Sequence, residues 1–250
     1  MKQLLTKILP RFMVNLLIKK KYKKYNIDTH QKNIENSRII ETKCKNQKKY
    51  TLLKTMLKNS FGGTIQIDKY SLYFHPIAVI QVPQTIEEYL KLIGAKSRNM
   101  NKKAEKNEIV CMEFDWNEKL DDIYVINTSA LYRQGREMDS AYREYPEKVE
   151  NRDSEDFKIR YIGAFKEERL IGYVELYIYG NFIMTNRILG DKRFLKYGLM
   201  NLLIKKCVEY AIENKIEYIN YLTMQNRQNN SLSAFKYRVG FREYSLLELQ

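Results

Sequence analysis

Between residues 189 and 241 the pattern of apolar residues changes period four times, and this alternation restricts the fold more than any other feature of the 250-residue chain. Residues 190–197 read as a loop. From about Gly198, Leu199, Leu202, Leu203, Cys207, Tyr210 and Ala211 recur at helical spacing over three turns. Residues 218–222 read as a strand, a polar loop follows, and a last helix ends at Val239-Gly240-Phe241. Asp191, Lys192, Arg193 and Lys196 lie in the loop that opens the long helix, where N–H groups without helical partners and the helix dipole favour an anion. The same residues also fit an ordinary amphipathic helix behind a solvated basic loop.

Upstream lies a strand pair. Residues 160–165 and 170–179 read as strands joined by the charged turn 166–169. In the second, Leu170, Gly172, Val174, Leu176 and Ile178 form an apolar face, and Ile171, Tyr173, Glu175, Tyr177 and Tyr179 form the other. Gly180-Asn181 is a turn pair, 182–189 the next strand, and 242–249 a closing strand. Earlier still, Gly62-Gly63 marks a turn. Residues 64–67 and 71–82 read as strands, the latter interrupted at His75-Pro76 because proline cannot donate inside a sheet. Thr85-Ile86-Glu87-Glu88 is a capping box opening a helix to about Ile93. Ser97 begins a second, very basic helix with Lys96, Arg98, Lys102, Lys103 and Lys106. Residues 109–114 read as a strand and 121–131 as a helix. Residues 144–156, dense in charge, read as the joint between two halves.

Charge is distributed unevenly. Residues 1–60 hold 16 Lys+Arg against 3 Asp+Glu, a net of +13, whereas the whole chain carries +14. The body is therefore near neutral, which argues against a body-wide nucleic-acid surface and for an N-terminal interaction arm. Leu4, Leu5, Ile8, Leu9, Phe12, Met13, Leu16 and Leu17 make one apolar helical face, followed by Lys19, Lys20, Lys21, Lys23 and Lys24. The stretch is too short and polar to span a bilayer and lacks a cleavage site. Residues 1–25 fit a basic amphipathic helix on an anionic membrane surface, with a helix packed on the body or a basic tail as alternatives. Residues 26–60 read as a linker with one helix near 50–58.

Cys44, Cys111 and Cys207 are scattered, and His30 and His75 are the only histidines, which argues against a zinc site. Walker and GxGxxG motifs are absent, against a P-loop NTPase or a Rossmann dehydrogenase. Arg133-Gln134-Gly135-Arg136 offers two guanidinium groups flanking a glycine, a fork for a carboxylate or phosphate or else a solvated turn.

Strand, turn, strand, strand, basic loop, long helix, strand, helix, Gly-Phe, strand resembles the order of the GNAT acyltransferase superfamily. The matching pieces are RYIGAFKEERLIGYVEL (160–176), GLMNLLIKKCVEYAIEN (198–214) and NSLSAFKYRVGF (230–241). YLKLIGAKSRNMNKKAEKNEIVCMEF (89–114) is similar to the segment opening the first half of Fem-type peptidyltransferases. The resemblance implies an α/β fold with a GNAT-type mixed sheet flanked by helices. Two unequal GNAT-like halves, at 60–156 and 157–250, would follow a basic amphipathic arm at 1–59. The superfamily's diphosphate loop, Q/R-x-x-G-x-G/A, falls with its first glycine on Gly198, but Leu195 and Met200 occupy the other signature positions. A general-acid tyrosine of many members falls on Lys236, beside Tyr237.

The resemblance implies acyl transfer from acetyl-CoA or another acyl-CoA to an amine or hydroxyl of a sugar, lipid or envelope precursor, without a metal. It puts the donor on Leu189, Lys192, Arg193, Lys196, Gly198 and Leu199, with Tyr237 catalytic. Glu175, a carboxylate among Tyr173, Tyr177 and Tyr179, is the preferred base, unless that face is solvated. Tyr173, Tyr177, Arg133 and Arg136 are the expected acceptor contacts. Two alternatives stand beside this reading: a Fem-type aminoacyltransferase using aminoacyl-tRNA, and a non-enzymatic membrane-associated binding protein of the same fold. The expected location is cytoplasmic, peripheral at the inner face of the membrane.

Overall fold

A computed structural model describes residues 38–40, 64–67, 70–73, 77–133, 136–155, 157–223 and 231–249. The expected arm helix, the helix near 50–58 and His75 lie outside the described residues. In chain order the elements are β1 (Arg38–Ile40), β2 (Thr64–Ile67), β3 (Tyr70–Tyr73), β4 (Ile77–Gln81), α1 (Ile86–Leu92), α2 (Ala95–Lys106), β5 (Val110–Glu113) and α3 (Leu120–Thr128). A short hairpin, β6 (Tyr132–Arg133) and β7 (Arg136–Glu137), follows. Then come β8 (Phe157–Lys166), β9 (Arg169–Tyr179), β10 (Phe182–Gly190), α4 (Leu199–Glu213), β11 (Tyr218–Thr223), α5 (Ser231–Arg238) and β12 (Arg242–Leu249).

One mixed sheet runs β2-β3-β12-β4-β11-β10-β9-β8-β5, with β1 alongside β12. The β10–β11 and β1–β12 pairs are parallel and the other pairs of this sheet are antiparallel. Strands from both sides of residue 157 interleave in it, since β4 lies between β11 and β12.

The helical stripe of α4 packs as its spacing predicts: Leu199, Leu202, Leu203, Cys207, Tyr210 and Ala211 are all buried. They join Tyr89 and Ile93 near α1, Ala104 of α2, and Val174, Leu176, Ile183 and Ile219 of the sheet in the main core. Thr85 caps α1 by accepting from the Glu88 amide at 3.2 Å, while the Glu88 carboxylate takes the Gln84 amide at 3.0 Å. The basic helix starts at Ala95, two residues before Ser97. Ser97 lies inside α2, where its hydroxyl donates to the Arg238 carbonyl at 2.9 Å and ties α2 to the end of α5.

On the opposite sheet face, Trp116 and Ile123 and Ile126 of α3 cover Phe165, Leu170, Tyr173 and Leu189. Strand β9 is thus buried on both faces, including Tyr173, Glu175 and Tyr179. Its alternation holds only from Gly172 onward. Gly172 pairs with Ala164 and Leu170 with Phe165, so Ile171 is an extra, bulged residue. The bulge turns Leu170 to the Tyr173 face, not the Val174 face that simple alternation predicts.

Candidate active site

Two irregularities open the centre of the sheet. Strands β10 and β11 pair from Phe182↔Tyr218 to Met184↔Asn220 and no further. In β10 the register against β9 shifts between Thr185 and Arg187, so Asn186 is bulged. In β11, Leu222 adopts a left-handed backbone (φ 50°), costly for a branched side chain. Asn220, fully buried, holds that turn: its amide nitrogen donates to the carbonyls of Ala78 and Leu222 at 3.0 Å, and its oxygen accepts from the Leu222 amide. Beyond Asn220 the two strands part company, β10 staying with β9 and β11 with β4. The result is a fork whose strand edges leave each other's hydrogen bonds.

The Asn186 bulge aims its amide at Glu175, donating to the carboxylate at 2.6 Å and to the Tyr177 hydroxyl at 3.3 Å. Arg187, the next residue, puts Nε 3.6 Å from the same carboxylate and its guanidinium 5.8 Å from the Tyr142 ring centre. Burial raises the Glu175 pKa above the usual carboxylate range, against the lowering by Asn186, Arg187 and Tyr177. Burial also raises Tyr177, to about 12. Glu175, Tyr177 and Arg187 line a cavity of about 870 Å³ with Trp116, Tyr142 and Tyr161. The expected companion Tyr173 is buried beneath it, donating to Asn127 at 2.8 Å and standing edge-on to Trp116 at 5.5 Å.

On the β11 side of the fork, Lys236 of α5 is 3% exposed and donates to the Tyr221 carbonyl at 2.7 Å. Its ammonium lies 4.3 Å from the Tyr221 ring centre. Burial lowers its pKa from 10.5 to about 8, which poises it for proton transfer near neutrality. Tyr237, by contrast, points its hydroxyl at Glu243 at 2.7 Å under Arg242.

The loop before α4 spends most of its donors internally. Asp191 is buried; its carboxylate accepts from the Arg193 amide at 2.9 Å and Nε at 3.0 Å, so Arg193 is paired. The amides of Asp191, Lys192, Phe194, Tyr197 and Gly198 bond to Ile171, Ser129, Asp191, Phe194 and Leu195. Gly198 has φ 89°, and a Cβ there would stand 2.1 Å from the Met100 carbonyl oxygen of α2. Its missing side chain accommodates a helix crossing. Leu189 and Leu199 are core residues, and Met200 lies against Gly190. Lys192 and Lys196 remain exposed.

Arg133 lies between α3 and the end of β10: its guanidinium donates to the Gly190 carbonyl at 2.8 Å, the Ile126 carbonyl at 3.1 Å and the Ser129 hydroxyl at 3.0 Å. Burial lowers its pKa. Arg136 pairs opposite it in the small hairpin through its backbone. The expected residues therefore divide. Glu175, Tyr173 and Tyr177 come together, Tyr237 and the loop cations stand elsewhere, and Arg133 braces the scaffold. Lys236, Asn186, Asn220, Tyr142 and Trp116 were not in the expected set. Only Lys236 left a trace in the sequence, by standing where the resemblance calls for a general acid.

The acetyltransferase (GNAT) family model matches residues 120–241. No curated protein matches the sequence. Among solved structures, FemX is 9% identical with a TM-score of 0.54, over 70% of this chain and 60% of FemX. The C-terminal domain of a putative lysylphosphatidylglycerol synthetase from Agrobacterium fabrum is 8% identical, with a TM-score of 0.48 over 71% of this chain and 60% of that one. L-PGS from Bacillus licheniformis is 16% identical, with a TM-score of 0.46 over 73% and 63%. At 9% identity the likeness to FemX is one of fold, and the chain spans about three fifths of the length of each of the three.

Proposed function

From the match of residues 120–241 to the acetyltransferase (GNAT) family model, we propose that the chain transfers an acyl group from acyl-CoA to an amine. The observation that carries this reading is the fork between β10 and β11, flanked by the buried carboxylate of Glu175 and the buried ammonium of Lys236. The donor carbonyl enters the fork, where backbone N–H groups released from strand pairing face the developing oxyanion. Glu175 takes the proton from the attacking amine as the C–N bond forms. The C–S bond breaks, and the Lys236 ammonium gives its proton to the departing thiolate. Glu175 and Lys236 then exchange protons with water to restore the starting state.

A second reading uses aminoacyl-tRNA as donor. It is favoured by the committed loop amides, the Arg193–Asp191 pair and the Met100 carbonyl seated on Gly198, which together leave few donors for a diphosphate. It is favoured also by the exposed Lys96, Lys102, Lys103 and Lys106 of α2, the helix that packs beside this loop. In that reaction the ester C–O bond breaks and the ribose hydroxyl takes the proton. Turnover with radiolabelled acetyl-CoA and with aminoacyl-tRNA, each with an amine acceptor, separates the two. Activity with neither donor, in a protein that melts cooperatively, would remove the transferase reading.

A further inference from the structure

The cavity over Glu175 continues outward as a groove. Its outer wall is the segment 144–153, pinned against the turn that holds Trp116. The indole N–H donates to the Glu147 carbonyl at 3.0 Å, and Asn117 exchanges hydrogen bonds with the Val149 carbonyl at 2.9 Å and amide at 2.8 Å. The inner wall is aromatic: Trp116 and Tyr161 pack with ring centres 4.9 Å apart, and Tyr142 and Tyr177 stand nearer the floor. Past Trp116 a second cavity of about 590 Å³ shares Trp116, Tyr161, Val149 and Arg152 with the first and extends the groove to Glu113 and Asp115.

The charges along this groove favour a cation. Glu144, Glu147 and Glu150 recur every third residue on the outer wall, up to ~10 Å apart along an extended chain. None of the three makes an ion pair among the described residues; Lys148 and Arg152 share the wall with them, and with Asp139 and Glu175 the cavity is lined by five carboxylates against the three cations Lys148, Arg152 and Arg187. Arg160 pairs with Asp153 at 2.7 Å and Glu113 at 3.3 Å, and Arg187 faces Glu175. A buried carboxylate at the closed end, aromatic faces along one side and unpaired carboxylates along the other form a site for ammonium groups joined by apolar spacers. An anionic acceptor would meet an excess of like charge there.

We propose that the acceptor is an extended aliphatic oligoamine, with one terminal amine at Glu175 and the following ammonium groups along Trp116, Glu147 and Glu150. The proposal rests on the transferase reading for the fate of the amine but not for its binding. Spacers of methylene groups lie over Trp116 and Tyr161 and bury apolar surface that a monoamine leaves open. The array of charges gives the long ligand its advantage, and salt weakens it.

Trp116 is the only tryptophan in the chain, so its fluorescence reads the groove directly. The full chain, without any acyl donor, is titrated with the linear tetraamine spermine and with n-butylamine. The expected result is a Trp116 signal that saturates with spermine at a concentration at least tenfold lower than with butylamine. The double variant Glu147→Gln/Glu150→Gln should weaken spermine binding about tenfold. The same charge change at the remote Glu87 and Glu213 should not. Equal affinities for the two amines, or equal weakening by the remote pair, would overturn the proposal and leave only nonspecific charge attraction. Spermine binding without transfer from any donor would sustain this site while removing the transferase reading. Transfer to other acceptors with no spermine binding would do the reverse.

Discussion

Lys236 Nζ donates to the Tyr221 carbonyl at 2.7 Å with almost none of the lysine exposed, so a cation is held inside the protein at the open side of the strand fork. Holding an ammonium away from water costs stability. Lys236→Met should therefore raise the melting temperature at pH 7 while lowering turnover by about 10²-fold or more. The pH dependence has a definite sign. Lys236 has a folded-state pKa of about 8 against an ordinary 10.5. Below pH 8 both states are protonated and the penalty is fully present. Between pH 8 and 10.5 the folded state has shed a proton that the unfolded state keeps, so stability rises with pH. Thermal melts of wild type and variant across this window should converge. A parallel pair of curves would mean that Lys236 titrates alike in the folded and unfolded states and that burial puts no penalty on its charge.

Glu175 and Lys236 together set the expected pH profile of kcat/KM. Activity should rise with pH as Glu175 ionises, with a midpoint above the usual carboxylate range, and fall near pH 8 as Lys236 loses its proton. Glu175→Gln should lower turnover about 10²-fold and erase the acid limb. Asn186→Ala removes the 2.6 Å hydrogen bond that favours the ionised carboxylate, so it should move the acid limb to higher pH while the alkaline limb stays. An acid limb unmoved in Asn186→Ala would assign it to a different group.

These features divide by how they are encoded. Periodicity in the sequence is a record of faces, and it located α4, the hairpin β8–β9 and the tyrosines around Glu175 because each repeats a side chain toward one side. The site, however, is built from breaks in periodicity: bulges at Ile171 and Asn186 and the left-handed turn at Leu222. Each inserts one residue or reverses one dihedral angle, and no neighbouring repeat announces it. The role of Arg133 was hidden for another reason. Its partners Gly190 and Ile126 are carbonyls, which every residue possesses, so no residue type upstream or downstream marks them. Lys236 looked like a departure from the family pattern, and only the packing of α5 against β11 shows that the departure is buried.

Arg133 should behave as a scaffold residue. Its guanidinium joins α3 to the end of β10 through three hydrogen bonds. Arg133→Gln leaves buried carbonyls unpaired and should lower the melting temperature by several degrees, with Arg133→Lys a poor rescue because an ammonium cannot span the same fork. Unchanged melting with a raised KM would return Arg133 to the acceptor site.

The N-terminal arm is proposed to bind membranes through the stripe from Leu4 to Leu17 and the lysines that follow it. The net +13 of residues 1–60 against a near-neutral body is the motive. Flotation with anionic liposomes should recover the full chain, less so in high salt and less with Leu9→Glu and Phe12→Glu together. Equal recovery of a chain lacking residues 1–30 would remove the arm from membrane binding.

Gly198 decides whether the loop before α4 is a phosphate cradle or a helix crossing. A side chain there needs an unfavourable left-handed backbone and meets the Met100 carbonyl at 2.1 Å, a backbone atom that moves only if α2 moves. Gly198→Ala should therefore destabilise the protein in the absence of any ligand, by roughly 1–2 kcal/mol for the backbone alone and more for the clash. Donor binding would then fall through loss of α2 packing as well as through loss of amide contacts. Lys192→Gln/Lys196→Gln provides the contrast, since both side chains are exposed and exposed loop charges contribute little to folding. If acyl-CoA is the donor and its diphosphate rests on this loop, the lysine pair should cost about tenfold or more in acetyl-CoA affinity by calorimetry with unchanged melting. An unchanged acetyl-CoA affinity, together with salt-sensitive binding of aminoacyl-tRNA that falls in Lys102→Gln/Lys103→Gln, would shift the donor to RNA, because those lysines project from the helix that occupies the position above Gly198.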